Sequence, residues 1–462
     1  MKNLFTFLAA ILIANILQAQ ITFEKTYGGV QADIGTCGLQ TFSGGYVFVG
    51  NSSSFGSGSY FIIADEFGNE ISSKTYFNIA DGMQPSVAQL KDSSFILVGS
   101  DGSQIVVIKI KEDGSDSLWS KVVDGATYVS GNFRISVTAT ADGGFAVGSY
   151  DFTGNNYIGF IAKYKPDGTQ EWNKTYAPAD NAMAMGLSIT QTSDNGFLLV
   201  GVTDNKDFYV VKTSNSGVEL WNRALNISID DLGWSGVEDA DGNFIVVGAT
   251  IVPGKVGYDM LIMKLDASTG DTIWTKTYGG DKGDEAWYIN KVNDGGFIVT
   301  GGTETETNGY DLFFLRLDAS CDSMWETTYG GTQEETGRFV QQTKDNGFIA
   351  VGATKSKGAG DNDFYVLKVD DAGILSVPFL GKNIQKLNIY PNPMDNKTTI
   401  YFNNDTKSNY QLKITDLTGK TVRLVNDIKD NRFDIYKQDL NSGIYVVELK
   451  GKNIYRNKLI VR

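Results

Sequence analysis

Apolar residues fall in short blocks along this chain, and Gly, Asn or Asp cuts off each block before it is long enough to wind a helix. One stretch shows the pattern: Ala286 to Val292, Phe297 to Thr303, Asp311 to Leu317 and Met324 to Tyr329 are runs of strand length, rich in aromatic and β-branched residues. Between the first two, Asn293-Asp294-Gly295-Gly296 supplies the positive-φ positions that a tight hairpin needs. No helix-period stripe occurs anywhere, so the pattern predicts strands in groups of four.

The groups repeat. A phrase built on Asp-x-Gly-Phe and closing on glycine recurs along the chain, its last residue falling at Gly50, Gly99, Gly148, Gly201, Gly248, Gly301 and Gly352. A period of about fifty residues with four strands per unit is that of a propeller blade. A second phrase marks the fourth strand, as in Trp172-Asn173-Lys174-Thr175-Tyr176, Trp274 to Gly280 and Trp325 to Gly331, with Trp119 and Trp221 at the same place in their units. The last unit lacks this strand, because Leu367-Lys368-Val369 runs into Asp370-Asp371-Ala372-Gly373. Phe23-Glu24-Lys25-Thr26-Tyr27-Gly28-Gly29 carries the missing phrase with Phe in place of Trp. The first strand is therefore expected to complete the last blade, which closes the ring and hides its edges. The expected fold is all-β: a seven-bladed β-propeller of four-stranded blades over 20–373, a linker over 374–386, and a small Ig-like β-sandwich over 387–462.

The first nineteen residues change the address rather than the fold. Lys2 precedes an apolar run from Leu4 to Leu17, and Leu17-Gln18-Ala19 forms a small-residue cleavage site, which is the layout of a secretory signal peptide. No later run is long enough for a transmembrane helix. The net charge of −14 is uneven, since 15 Lys and Arg face 8 Asp and Glu from Ile374 onward. The propeller is thus strongly acidic and repels phosphate backbones, so nucleic acid is not an expected partner. Histidine is absent, which removes Ser-His-Asp and Cys-His catalysis and imidazole-ligated zinc. Cys37 and Cys321 hold different repeat positions and are expected as free, partly buried thiols.

Lys264-Leu265-Asp266-Ala267-Ser268-Thr269-Gly270-Asp271-Thr272-Ile273-Trp274 resembles the tryptophan-docking motif of quinoprotein-like propellers, which implies that glycine turns the chain and tryptophan packs on the next blade. The sialidase Asp-box differs in register, with Gly168 and Gly217 four residues before Trp172 and Trp221. Four arginines, Arg134, Arg223, Arg316 and Arg338, occupy unlike repeat positions, and no arginine cluster is expected from them. Asp116-Ser117-Leu118, Asp271-Thr272-Ile273 and Asp322-Ser323-Met324 resemble a bacterial O-glycosylation sequon, and ordinary turn chemistry accounts for them equally well.

The C-terminal segment carries Ile389-Tyr390-Pro391-Asn392-Pro393, Leu417-Thr418-Gly419-Lys420, Leu440-Asn441-Ser442-Gly443-Ile444-Tyr445-Val446 and the ending Lys458-Leu459-Ile460-Val461-Arg462. In order and position it resembles the type A sorting domain of type IX secretion cargo. The resemblance implies that Pro391, Asn392, Pro393, Gly419, Gly443 and Tyr445 form the sorting motif, that the type IX machinery is a partner, and that the protein travels through the periplasm to the outer surface or the medium.

An aspartate stands five residues before a base on the third strand: Asp207 and Lys212, Asp259 and Lys264, Asp311 and Arg316, Asp363 and Lys368. Its recurrence points to a hydrogen bond that fixes a loop rather than to a catalytic group. Function is expected where the repeats differ. The loops joining fourth to first and second to third strands share one face, and in the last blades they carry Asp281, Asp284, Glu285, Glu304, Glu306, Glu334, Glu335 and Asp361. These carboxylates form a candidate ligand or Ca²⁺ face, a candidate glycosidase acid–base pair, or simply a solvated acidic rim. No catalytic residue or cofactor other than Ca²⁺ is indicated. Three functions remain open: a non-catalytic module binding a glycan or protein ligand, a carbohydrate-active hydrolase or lyase using carboxylate or Tyr chemistry, and a structural or adhesive surface protein.

Overall fold

A computed structural model describes residues 20–76, 84–126, 134–153, 156–179, 182–305, 309–375, 384–404, 406–416, 421–437 and 440–462. The leader, Glu306, Gly419 and most of the linker lie outside these residues. The chain divides into two compact units, Met1–Ser376 and Val377–Arg462. No helix occurs among the described residues, and none is therefore long and apolar enough to cross a membrane, which says nothing of a β-barrel.

The first unit is a seven-bladed β-propeller of four-stranded antiparallel sheets. Six sheets use consecutive strands, and the seventh runs Phe23–Tyr27, Asp363–Val369, Phe348–Thr354, Glu335–Gln342. The N-terminal strand closes it in antiparallel register, Phe23 opposite Lys368 and Tyr27 opposite Phe364. In the sixth blade the strands are Asp284–Lys291, Phe297–Thr305, Gly309–Leu317 and Ser323–Tyr329, slightly longer than the apolar blocks suggest. Backbone pairing continues past the last buried side chain, so hydrophobicity marks only the packed part of each strand.

Within a blade the middle strands are buried on both faces, as in Phe197–Thr203 and Phe208–Thr213, and read as continuous apolar runs. The fourth strand is the outer edge, and Thr272–Tyr278 is accordingly exposed or half-buried throughout. Blades lock together through the tryptophan contact. Gly217 has φ +75°, and a Cβ there would lie 2.7 Å from the ring of Trp172 in the preceding blade. Tyr176 of that blade adds a hydrogen bond from its hydroxyl to the Gly217 carbonyl, 2.8 Å. Gly217→Ala is therefore expected to destabilise the protein by about 1–3 kcal/mol, through a forced left-handed conformation and overpacking together; a denaturant midpoint equal to wild type would refute this account of the joint. In the sixth blade Cys321 takes the equivalent turn, with φ 58°. Both cysteines are free and buried.

The third-strand bases do not pair with the aspartates five residues before them. They reach back to the hairpin aspartates: Lys109 to Asp92, Lys163 to Asp142 and Lys212 to Asp194, each at 2.8 Å, with Lys264–Asp239, Arg316–Asp294 and Lys368–Asp345 completing the set. Blade one has Ser43 and Ile63 at these two positions, so acid and base are missing together. The preceding aspartates do fix loops. Asp207 Oδ1 accepts from Asn226 (2.7 Å), Asp363 Oδ2 accepts from the Gly360 N–H (2.9 Å), and Asp259 pairs with Lys255 (3.0 Å). At Asp311 this fails, because its Oδ1 is buried without a partner.

The second unit is a β-sandwich of a five-stranded and a three-stranded sheet. Leu412, Ile414, Val447, Leu449 and Leu459, all wholly buried, form its centre. Asn392 ties the sorting motif to the final strand, Ile454–Val461: its Nδ2 donates to Lys458 O (2.6 Å) and its Oδ1 accepts from the Ile460 N–H (2.8 Å). Pro391 O accepts from the Thr398 hydroxyl (2.6 Å), and buried Tyr445 donates to Asn441 O (2.9 Å). Gly443 starts the strand Gly443–Lys450.

Candidate functional site

The first strands of the blades converge on a common axis. Among the described residues that strand carries a β-bulge in five blades, placed at Gly35/Cys37, Gly186/Ser188, Gly233/Ser235, Ala286/Tyr288 and Gly337/Phe339. The repeating glycine of the second strand makes room for it: a Cβ at Gly301 would stand 1.8 Å from Glu285 O, and one at Gly352 would stand 1.7 Å from Thr336 O. A bulge re-aims the inserted side chain. The inserted residues are Thr36, Leu187, Trp234, Trp287 and Arg338, so the shared scaffold presents unlike groups at one position.

Four of these, Leu187, Trp234, Trp287 and Arg338, line an axial cavity of about 630 Å³, and Arg134 and Glu285 join them. Asn51, Ser52, Ser53, Ser57 and Gln84 make one sector of the wall hydroxyl- and amide-rich, and Met185 and Val202 make another apolar. The cavity thus includes part of the loop face, through the second-to-third connection of blade one.

Two guanidiniums meet here from blades three and seven. Arg134 crosses the axis, donating to the Arg338 carbonyl and to Trp287 O at 3.4 Å, and its guanidinium lies 5.3 Å from the centre of the Tyr288 ring. Arg338 stacks 5.6 Å from the Trp287 ring, and its Nε is buried with no hydrogen-bond partner. Among the described residues neither arginine has a carboxylate within ion-pair range. Burial lowers the pKa of both, and the nearby Arg134 charge helps bring Arg338 down to about 10. The Trp234 indole N–H is likewise buried without an acceptor.

Among the described residues Glu285 is the one carboxylate that lines the cavity. Its Oε2 accepts from the Trp287 indole (2.9 Å), its Oε1 accepts from the Tyr310 hydroxyl (3.5 Å), and burial raises its pKa. The other acidic candidates do not join it. Asp284 is buried and accepts from the Gly280 N–H (2.7 Å) and the Thr303 hydroxyl; Glu335 is buried and accepts from Thr354 and Ser356. Both pin a loop at the head of a first strand, as Asp33 and Asp231 do elsewhere in the ring. Glu304 accepts from the Gly283 N–H (3.2 Å), Glu334 pairs with Lys355, and Asp281 and Asp361 are exposed loop residues. Asp311 and Glu335 do approach each other, and burial together with the Glu335 charge raises the Asp311 pKa, but neither lines the cavity. Among the described residues no three Cys, Asp or Glu side chains converge as metal ligands.

The sequence pointed to the loops, whereas Leu187, Trp234, Glu285, Trp287 and Arg338 stand on first strands. Aligning the repeats at Gly35-Thr36, Gly186-Leu187, Gly233-Trp234, Ala286-Trp287 and Gly337-Arg338 would have exposed a small residue followed by a variable one.

Fold and site define the class: a closed seven-bladed β-propeller with an arginine- and tryptophan-lined axial cavity, followed by a β-sandwich. Residues 388–462 match the family described as the secretion system C-terminal sorting domain, so this segment is a sorting domain and the chain is cargo for type IX secretion, released or attached at the cell surface. No curated protein matches the chain in sequence. Among solved structures, a fungal alcohol oxidase of the AA5 family in complex with copper is 13% identical with a TM-score of 0.49, over 95% of this chain and 98% of that one. Sqt1 of Chaetomium thermophilum, bound to the N-terminus of ribosomal protein L10, is 10% identical with a TM-score of 0.47, over 75% and 98%. The Dos1 propeller is 10% identical with a TM-score of 0.44, over 95% of each chain.

Proposed function

We propose that this protein is an exported, non-catalytic binding module, carried through the periplasm to the outer surface or the medium, with the axial cavity as its ligand site. The observation that supports this most is the convergence of unlike first-strand side chains in one cavity, while the rest of each blade repeats. Its volume lies within the roughly 300–1,000 Å³ of small-ligand sites, and two indoles offer flat apolar faces. A hydrolase reading is disfavoured by the placement of the acids. Glycosidase chemistry uses two carboxylates across one bond, and among the described residues only Glu285 faces the cavity.

The test follows Trp fluorescence and product release together while a panel of oligosaccharides is titrated into the purified protein. The expected result is saturable binding without turnover, weakened at least about tenfold (~1.4 kcal/mol) in Trp234→Ala/Trp287→Ala, whose melting temperature stays near wild type. Turnover that disappears in Glu285→Gln would make the protein an enzyme and refute the proposal.

A further inference from the structure

We infer that the axial cavity recognises an oxyanion, a carboxylate or sulfate carried on a saccharide ring, with Arg134 and Arg338 as its counter-charges. The inference rests on the cavity being the ligand site and names what that site selects. Buried charge is ordinarily paired, because desolvating an unpaired ion costs several kcal/mol. Elsewhere in this propeller the rule is kept: buried Lys163, Lys212, Arg316 and Lys368 each hold a carboxylate. Arg134 and Arg338 depart from it: both are half-buried in the cavity wall, no carboxylate among the described residues lies within ion-pair range of either, and they add like charge to like.

Their geometry suits an incoming anion. Arg134 is held across the axis by two carbonyls and Arg338 by the Trp287 face, so both guanidiniums are positioned before any ligand arrives. The buried, unpartnered Arg338 Nε is a donor still lacking an acceptor. A planar guanidinium fork matches carboxylate and sulfate oxygens two at a time, which makes arginine rather than lysine the apt residue. Glu285 does not supply the missing charge, since its oxygens go to Trp287 and Tyr310. The remaining wall fits a saccharide: Trp234 and Trp287 suit the C–H face of a sugar ring, and the Asn51–Ser53 sector suits its hydroxyls.

The experiment titrates the intact purified protein with a uronate disaccharide, a sulfated disaccharide, the matching neutral disaccharide and sodium sulfate, on wild type, Arg338→Gln and Trp287→Ala. Arg338 is the residue to change because Arg134 also bridges blades. The expected result is binding of at least one acidic disaccharide about tenfold or more tighter than the neutral one, a preference lost in Arg338→Gln and weakened by added salt. The two acidic probes separate carboxylate from sulfate, and sodium sulfate alone separates the anion from the ring. Equal binding of acidic and neutral sugars, abolished by Trp287→Ala, overturns the oxyanion inference and leaves the cavity as the ligand site. Binding indifferent to Trp287→Ala overturns the cavity reading itself, and failure of both acidic probes at millimolar concentration overturns the inference. A melting temperature for Arg338→Gln at or above that of wild type shows that lost binding is not lost fold.

Discussion

Deleting Gln20 to Tyr27 is expected to abolish the cooperative unfolding transition and to leave a self-associating chain. The deleted strand supplies the outer edge of the last blade, so its loss exposes the backbone of Asp363–Val369 along its whole length. An unpaired strand edge is a template for another chain. Phe23 and Tyr27 are only 3% and 7% exposed, and both pack into the first blade. Phe23 stands edge-on to Tyr46 at 5.6 Å and covers the Gly68 turn; Tyr27 lies 5.7 Å from Phe48 and donates to Gly68 O at 2.6 Å. The strand therefore belongs to one blade by backbone and joins another by side chain, so the ring opens without it. Phe23→Ala gives a graded version, expected to cost about 3–5 kcal/mol for a buried aromatic. Gel filtration and urea unfolding read both variants, and a monomeric deletion variant with an unchanged midpoint would show that closure lies elsewhere. Gln20 is itself bound through both ends of its amide, to Asp345 O at 2.7 Å and from the Asp371 N–H at 2.9 Å. A leader cut after Ala19 would leave this closing segment whole.

That closure was legible in the sequence because it depends on a repeated phrase, and Phe23 to Gly29 carries the phrase at the wrong end of the chain. The sorting segment was legible for another reason, since its short motifs stand in the order that the resembling family shows. The cavity was not. Whether a side chain faces the axis depends on a bulge, and a bulge is a property of two paired strands rather than of one. Arg134 and Arg338 seemed unrelated because one lies before the paired residues of its strand and the other sits on a bulge, and only the ring brings them together. The acidic loops misled for the opposite reason: Asp284 and Glu335 stand out by charge, yet each is consumed in holding the head of a first strand. Likewise, the spacing along the third strand did not name the partner of each base, because a hairpin brings the turn aspartate closest in space.

That last pairing predicts an asymmetry within a single ion pair. Lys368 has a fully buried side chain, donates to the Val369 carbonyl at 3.0 Å and meets Asp345 Oδ1 at 3.1 Å; Asp345 keeps 32% of its side chain exposed. Burial lowers the Lys368 pKa against the raising influence of Asp345. Asp345→Ala therefore strands a buried ammonium with a carbonyl alone, and it also removes the acceptor used by the Thr343 hydroxyl and the Gly347 N–H. The expected loss is about 3–5 kcal/mol. Lys368→Met fills the same space with an apolar chain and leaves Asp345 its turn contacts and its solvent, so a loss of no more than about 1 kcal/mol is expected. Combining the two should cost less than Asp345→Ala alone, because the double variant contains no stranded charge. Urea unfolding of the three variants decides it. Equal losses from the two single variants would mean that the pair contributes by mutual attraction, and that the turn aspartate is not there chiefly to neutralise a lysine that the blade has already buried.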